Sequence, residues 1–146
     1  MRTVLKIIFL SFVFLSNYSC AQVVTLRTPS QAKLMEANKK DFIGKSLSYF
    51  LDHIKLEIKS LVPTPNKDPK EVNRLSFIFV PYSEYRKTPD NEKPVRITVI
   101  FNQGWDWQDS KNRCKSSIPD CITWTKEDEK KLGDLKIIDI YVTGKE

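Results

Sequence analysis

The chain is short of glycine, histidine and cysteine, and each shortage excludes a class of chemistry. Its four glycines, at 44, 104, 133 and 144, form no glycine-rich phosphate loop and leave few flexible joints. With His53 as the lone histidine there is no H-E-x-x-H pair, and no serine stands in a G-x-S-x-G elbow. Internal repeats, low-complexity tracts and Ser/Gly linkers are all missing. A formal net charge of +6 is modest, and the lysines are scattered among acidic neighbours with no basic stripe, so a nucleic-acid partner is not expected.

What is present begins with "MRTVLKIIFLSFVFLSNYSCAQ". Arg2 and Lys6 make a positive start, Ile7 to Leu15 an apolar run broken only by Ser11, and Ser16 to Ala21 a small polar end. This is the plan of a secretory signal peptide over residues 1–21, too short to span a membrane. Ser19-Cys20-Ala21 predicts cleavage before Gln22. The alternative is a lipoprotein anchored through Cys20, against which Asn17 stands where an aliphatic residue is usual. Residues 22–146, about 125 of them, suffice for one domain with one core. Loss of Arg2 and Lys6 lowers the net charge from +6 to +4. The protein is therefore expected to be exported, periplasmic or secreted, with no membrane span after processing.

Export decides how the cysteines are read. Cleavage discards Cys20 and lipidation consumes it, and either leaves Cys114 and Cys121 as a predicted disulfide. Two thiols with a distant histidine do not make a zinc site, and six intervening residues do not make a C-x-x-C redox turn. No metal and no cofactor is expected.

Periodicity predicts an α+β fold: a mostly antiparallel sheet of four to five strands with one or two helices packed on one face. "VVTLR" reads as a short first strand. In "TPSQAKLMEANKK", Thr28 caps, Pro29 opens a helix and Gln31 completes a capping box, with Ala32, Leu34 and Met35 as a thin apolar face. The clearest helix is "SLSYFLDHI", where Leu47, Phe50, Leu51 and Ile54 recur at helical spacing behind Ser46. Strands are expected over 56–62, 74–80, 95–101 and 135–143, the last with Ile138, Ile140 and Val142 on one face. The prolines of 63–69 and 81–94 mark loops. Thr125 and Asp128 cap a short helix that Gly133 stops.

The stretch "IGKSLSYFLDHIKLEIKSL" (43–61) resembles the helix-then-strand half of a PASTA module, in which a glycine opens a short helix leading into a strand. The glycine-rich turn between the two is replaced by "HIKLEI", and the rest of the chain departs from the module, so no function is carried over.

Residues 102–124, "NQGWDWQDSKNRCKSSIPDCITW", hold all three tryptophans and both mature cysteines without regular periodicity. Loops this long tend to be functional or disordered, and the tryptophans and cysteines here speak for function. Closing it at 114–121 stabilises by about 2–3 kcal/mol on the chain-entropy model and fixes one conformation before a ligand arrives. The candidate binding residues are Trp105, Trp107 and Trp124, with Lys111, Arg113 and Lys115 adding charge. Two alternatives are structural. If the strand before the loop continues, Trp105 and Trp107 share the parity of Val99 and Phe101 and face the core, unless Gly104 marks a bulge. Trp124 then pins the start of the following helix.

His53 has Asp52 beside it rather than across a cleft, and a solvent-facing or hydrogen-bonded structural role is expected. Asp106, Asp109 and Asp120 offer a carboxylate pair of the glycosidase kind, against the plainer reading of solvated or turn-forming loop aspartates. The functional expectation is an exported binding or accessory module, not an enzyme. Its partner is a cell-surface glycan or, alternatively, an extracytoplasmic protein that it inhibits or helps assemble. A hydrolase is the remote third reading.

Overall fold

In the computed structural model, which describes residues 23–65, 71–106 and 124–145, four strands form one antiparallel sheet in the order β1-β2-β3-β4. These are β1 (Ser60–Pro65), β2 (Glu71–Ile78), β3 (Arg96–Asp106) and β4 (Ile137–Thr143). Four short helices accompany them: α1 (Ala32–Ala37), α2 (Leu47–Asp52), α3 (Tyr82–Lys87) and α4 (Lys126–Leu132). This is the expected α+β class. "VVTLR" adds no fifth strand: Leu26 makes a single bridge to Ile54, its amide donating to the His53 carbonyl and its carbonyl accepting from Lys55.

The core lies on one face of the sheet. Leu61, Leu75, Phe77, Ile97, Val99, Phe101, Ile140 and Val142 point into it, and α2 supplies Leu47, Phe50 and Leu51. Its aromatic rings form a chain: Phe42 meets Phe50 edge-on at 5.3 Å, Phe50 lies 6.3 Å from Phe77, and Phe77 meets Trp124 edge-on at 5.5 Å. On the opposite face of the sheet the cross-strand neighbours Ser76 and Thr98 share a buried hydroxyl–hydroxyl bond of 2.7 Å.

The caps behave as the sequence suggests. Ser46 Oγ accepts the Tyr49 amide at 3.2 Å, and Thr125 Oγ1 accepts the Asp128 amide at 3.2 Å while Asp128 Oδ2 accepts that of Thr125 at 3.0 Å. Gln31 Oε1 accepts the Thr28 amide at 3.1 Å, but the first turn, Pro29–Gln31, is 3-10 and only α1 is α-helical. Gly133 ends α4 with an ordinary right-handed φ of −56°, so its lack of a side chain serves packing: a Cβ there would stand 2.2 Å from Ser48 Oγ.

Five expectations change, each for a local reason. Leu34 is 52 % exposed and is not part of the face that Ala32 and Met35 bury. Ile138 is 50 % exposed, because Ile100 pairs with Asp139 but Phe101 with Ile137, which leaves Ile138 as the extra residue of a bulge and shifts the apolar parity to Ile137. Pro63 and Pro65 lie in β1 rather than in a loop: β1 is an edge strand, where a proline nitrogen facing outward costs no ladder bond. The segment 81–94 holds α3, with Pro81 as its N-cap, and a 3-10 turn, Asp90–Glu92. Finally, residues 56–59 alternate in burial as a strand would, yet pairing begins at Ser60, because β2 ends at Ile78 and the chain turns away at Phe79.

Both edges of the sheet are protected, in different ways. Along β4, Ile137 exchanges hydrogen bonds with the Gly44 amide and Lys45 carbonyl, the Ile140 amide donates to Asp139 Oδ1, and Val142 is held by α1 side chains. Along β1, the prolines at alternate positions withhold donors.

Candidate functional site

β3 runs on through Asn102 to Asp106, beyond its expected end at Phe101, and pairs Trp105 with Val72 and Asp106 with Glu71. Between Arg74–Ile100 and Val72–Trp105 the register shifts, so the continuation does not keep the simple parity of the strand. Gly104 lies in this irregular stretch. A Cβ on it would sit 1.9 Å from Glu71 Cγ, so the Glu71 side chain lies over the glycine and would have to swing aside for any larger residue.

Trp105 is half-buried and packs against the core, with Lys131 Nζ of α4 5.8 Å from its ring centroid. Its Nε1 and the neighbouring Asn73 Oδ1 are buried without a hydrogen-bond partner among the described residues, a donor and an acceptor left over at the same register shift.

Trp124, also half-buried, precedes α4 and meets Phe77 edge-on. α4 thus touches both tryptophans, Trp105 through Lys131 and Trp124 through the chain itself. Trp107, Lys111, Arg113, Lys115, the Cys114–Cys121 pair and Asp109 and Asp120 lie outside the described residues, as do the leader and Cys20; of Asp106 only the backbone is described.

Beside Trp124 opens a groove of about 390 Å³. One wall is the end of α2 and the stretch after it, with Leu51, Ile54, Leu56 and Ile58; the other is Trp124 and the first turns of α4. Glu57, Lys126 and Glu129 add charge around it. Glu57 is ion-paired with Lys59, whereas the half-buried Glu129 has no ion-pair partner among the described residues. Thr125 is engaged in the helix cap. Sequence reasoning named Trp124 but missed Leu56, Ile58 and Glu129. The available signal was that an alternating stretch and a helix N-cap both adjoin that tryptophan in the fold, which no local pattern records.

His53 is not in this groove. Its Nδ1 donates to the Tyr49 carbonyl at 2.8 Å, and its ring packs 5.6 Å from Phe42 and 4.8 Å from Tyr49, the hydrogen-bonded structural role its sequence position suggests. Tyr82 stacks on the buried Tyr85, which Lys93 covers at 5.5 Å. Among the described residues no cluster of histidine, cysteine, aspartate and glutamate is arranged to hold a metal, and no helix is long and apolar enough to cross a membrane. Comparison with family models, with curated proteins and with solved structures finds no match to this chain.

Proposed function

We propose that this protein is an exported, non-enzymatic binding or accessory module whose working surface centres on Trp124 and the segment that ends there. The supporting observation is the groove itself: an indole wall, an aliphatic wall and a few charged groups at the mouth, which is the composition of a recognition site rather than of a catalytic one. Packing of Trp124 against Phe77 fixes the indole before any ligand arrives, which reduces the ordering cost of binding. A glycan suits such a surface through stacking of a sugar ring on the indole. An extracytoplasmic protein is the second reading, favoured by the backbone of Leu56 to Ile58 along the other wall, which makes no hydrogen bond among the described residues.

Titration of the mature protein with a panel of wall and capsular polysaccharides and with envelope protein fractions, followed by tryptophan fluorescence, tests the reading. A saturable shift that W124A abolishes is expected. Saturation that survives W124A, or no shift with any member of either panel, would overturn it.

A further inference from the structure

Residues 56–59 have the sequence of a strand and the burial of a strand, but no strand beside them among the described residues. Ile54 is buried, Lys55 exposed, Leu56 half-buried, Glu57 exposed, Ile58 half-buried and Lys59 exposed, the period of two that an extended chain gives. The Lys59 amide still donates to the Ile78 carbonyl at 2.9 Å. Upstream of it the neighbour is gone, because the chain turns away at Phe79 and Pro81 caps α3. The amides and carbonyls of Leu56, Glu57 and Ile58 make no hydrogen bond among the described residues. They border the groove whose far wall is Trp124.

We propose that an extended segment of a partner protein carrying alternate apolar and lysine side chains adds along Leu56–Ile58 as the missing strand. This deepens the binding-module reading and rests on it. Main-chain pairing supplies affinity and side-chain pockets supply selection in this mode of recognition. Among the described residues the sheet offers no such place elsewhere: β4 is sealed by Lys45, Asp139 and Glu36, and β1 carries Pro63 and Pro65. Apolar side chains of the segment pack between Leu56, Ile58 and Trp124. A lysine meets Glu129, the groove carboxylate without an ion-pair partner, while Glu57 is engaged by Lys59 and Lys126 lies exposed at the mouth and discourages a second cation.

The test uses the labelled mature chain and four probes: a blocked heptapeptide alternating valine and lysine, the same peptide N-methylated at alternate residues, a valine–glutamate heptapeptide, and a β-1,4-linked N-acetylglucosamine oligomer. Amide exchange at 56–58 and the Trp124 indole resonance are followed. The valine–lysine peptide is expected to slow exchange at these amides by about tenfold and to move the indole resonance. N-methylation should abolish both effects, and E129Q should weaken the peptide by about tenfold. Unchanged exchange at 56–58, equal binding of the N-methylated peptide, or equal binding of the valine–glutamate peptide overturns strand addition. If only the saccharide moves the Trp124 resonance, strand addition falls while the binding-module reading stands; if no probe here and no member of the broader panels acts, both fall.

Discussion

Glu36 of α1 accepts the amide of Val142 on β4 at 3.0 Å, so a carboxylate occupies the place where another strand would pair. Lys33, one turn earlier, donates to the Val142 carbonyl at 2.8 Å, and the two side chains lie 3.5 Å apart. A helix of six residues thus reaches over the sheet edge and satisfies both backbone groups of one residue.

Removing this cap exposes the edge. E36A is expected to cost about 1.5–3 kcal/mol, the range of a hydrogen bond to a charged group. Hydrogen exchange at Val142 should accelerate, and sedimentation should show concentration-dependent association, since an uncovered edge invites pairing between chains. Wild-type exchange at Val142 in the variant would show that the carboxylate is dispensable.

The ion pair between Lys39 and Asp139, 2.6 Å, gives a pH-dependent contribution. The lysine hydrogen bond, aided by the Ile140 amide, holds the Asp139 carboxyl below its ordinary value. The folded state therefore favours the ionised form. Its contribution is complete above the unfolded carboxylate value, near 3.8, and is lost as pH falls through the lower folded value. Both side chains are 43 % exposed, so the effect should stay below about 1 kcal/mol. Urea melts at pH 7 and pH 3 should show a smaller acid loss in K39M than in wild type.

Gly133 and Ser48 form a testable couple. G133A places a methyl group against Ser48 Oγ and should destabilise by about 1–3 kcal/mol, the usual cost of overpacking. In an S48A background part of that loss should disappear, although the Glu129 carbonyl, 2.7 Å from the built Cβ, limits the recovery. Strict additivity in the double-mutant cycle would rule out the contact as the cause.

Phe77 joins the core to the groove. F77A should cost about 3–5 kcal/mol and also move the Trp124 emission, because the ring that meets the indole edge-on is removed. A stability loss without a spectral change would separate the groove wall from the core.

The expected bridge between Cys114 and Cys121 has a direct reading by intact mass. The mature protein should begin at Gln22, lack two hydrogens relative to the reduced chain, and resist thiol reagents until reduced. An acyl mass on Cys20 would establish the anchored form instead.

Where the answer lay within a few residues, it was legible. Leu47, Phe50, Leu51 and Ile54 mark α2 by spacing alone, and Thr125 with Asp128 marks the start of α4. The failures share a non-local cause. Nothing around Ile138 announces that its strand will bulge against Ile100 and Phe101, since a bulge is a property of two strands. Pro63 and Pro65 suggest a loop until β1 is known to be an edge, and Leu56 to Lys59 suggest a paired strand until β2 is known to stop at Ile78. The groove was illegible for the same reason: Trp124 was a visible candidate, but the partners opposite it come from a segment more than sixty residues earlier.

The position of α4 between the two described tryptophans has a consequence for engineering. With Lys131 over one indole and the other indole leading into its cap, this helix acts as a crossbar holding both posts of the 107–123 span at the scaffold. Exchanging that span should therefore leave both indoles where they are, which unchanged Trp105 and Trp124 indole resonances in the exchanged protein would check.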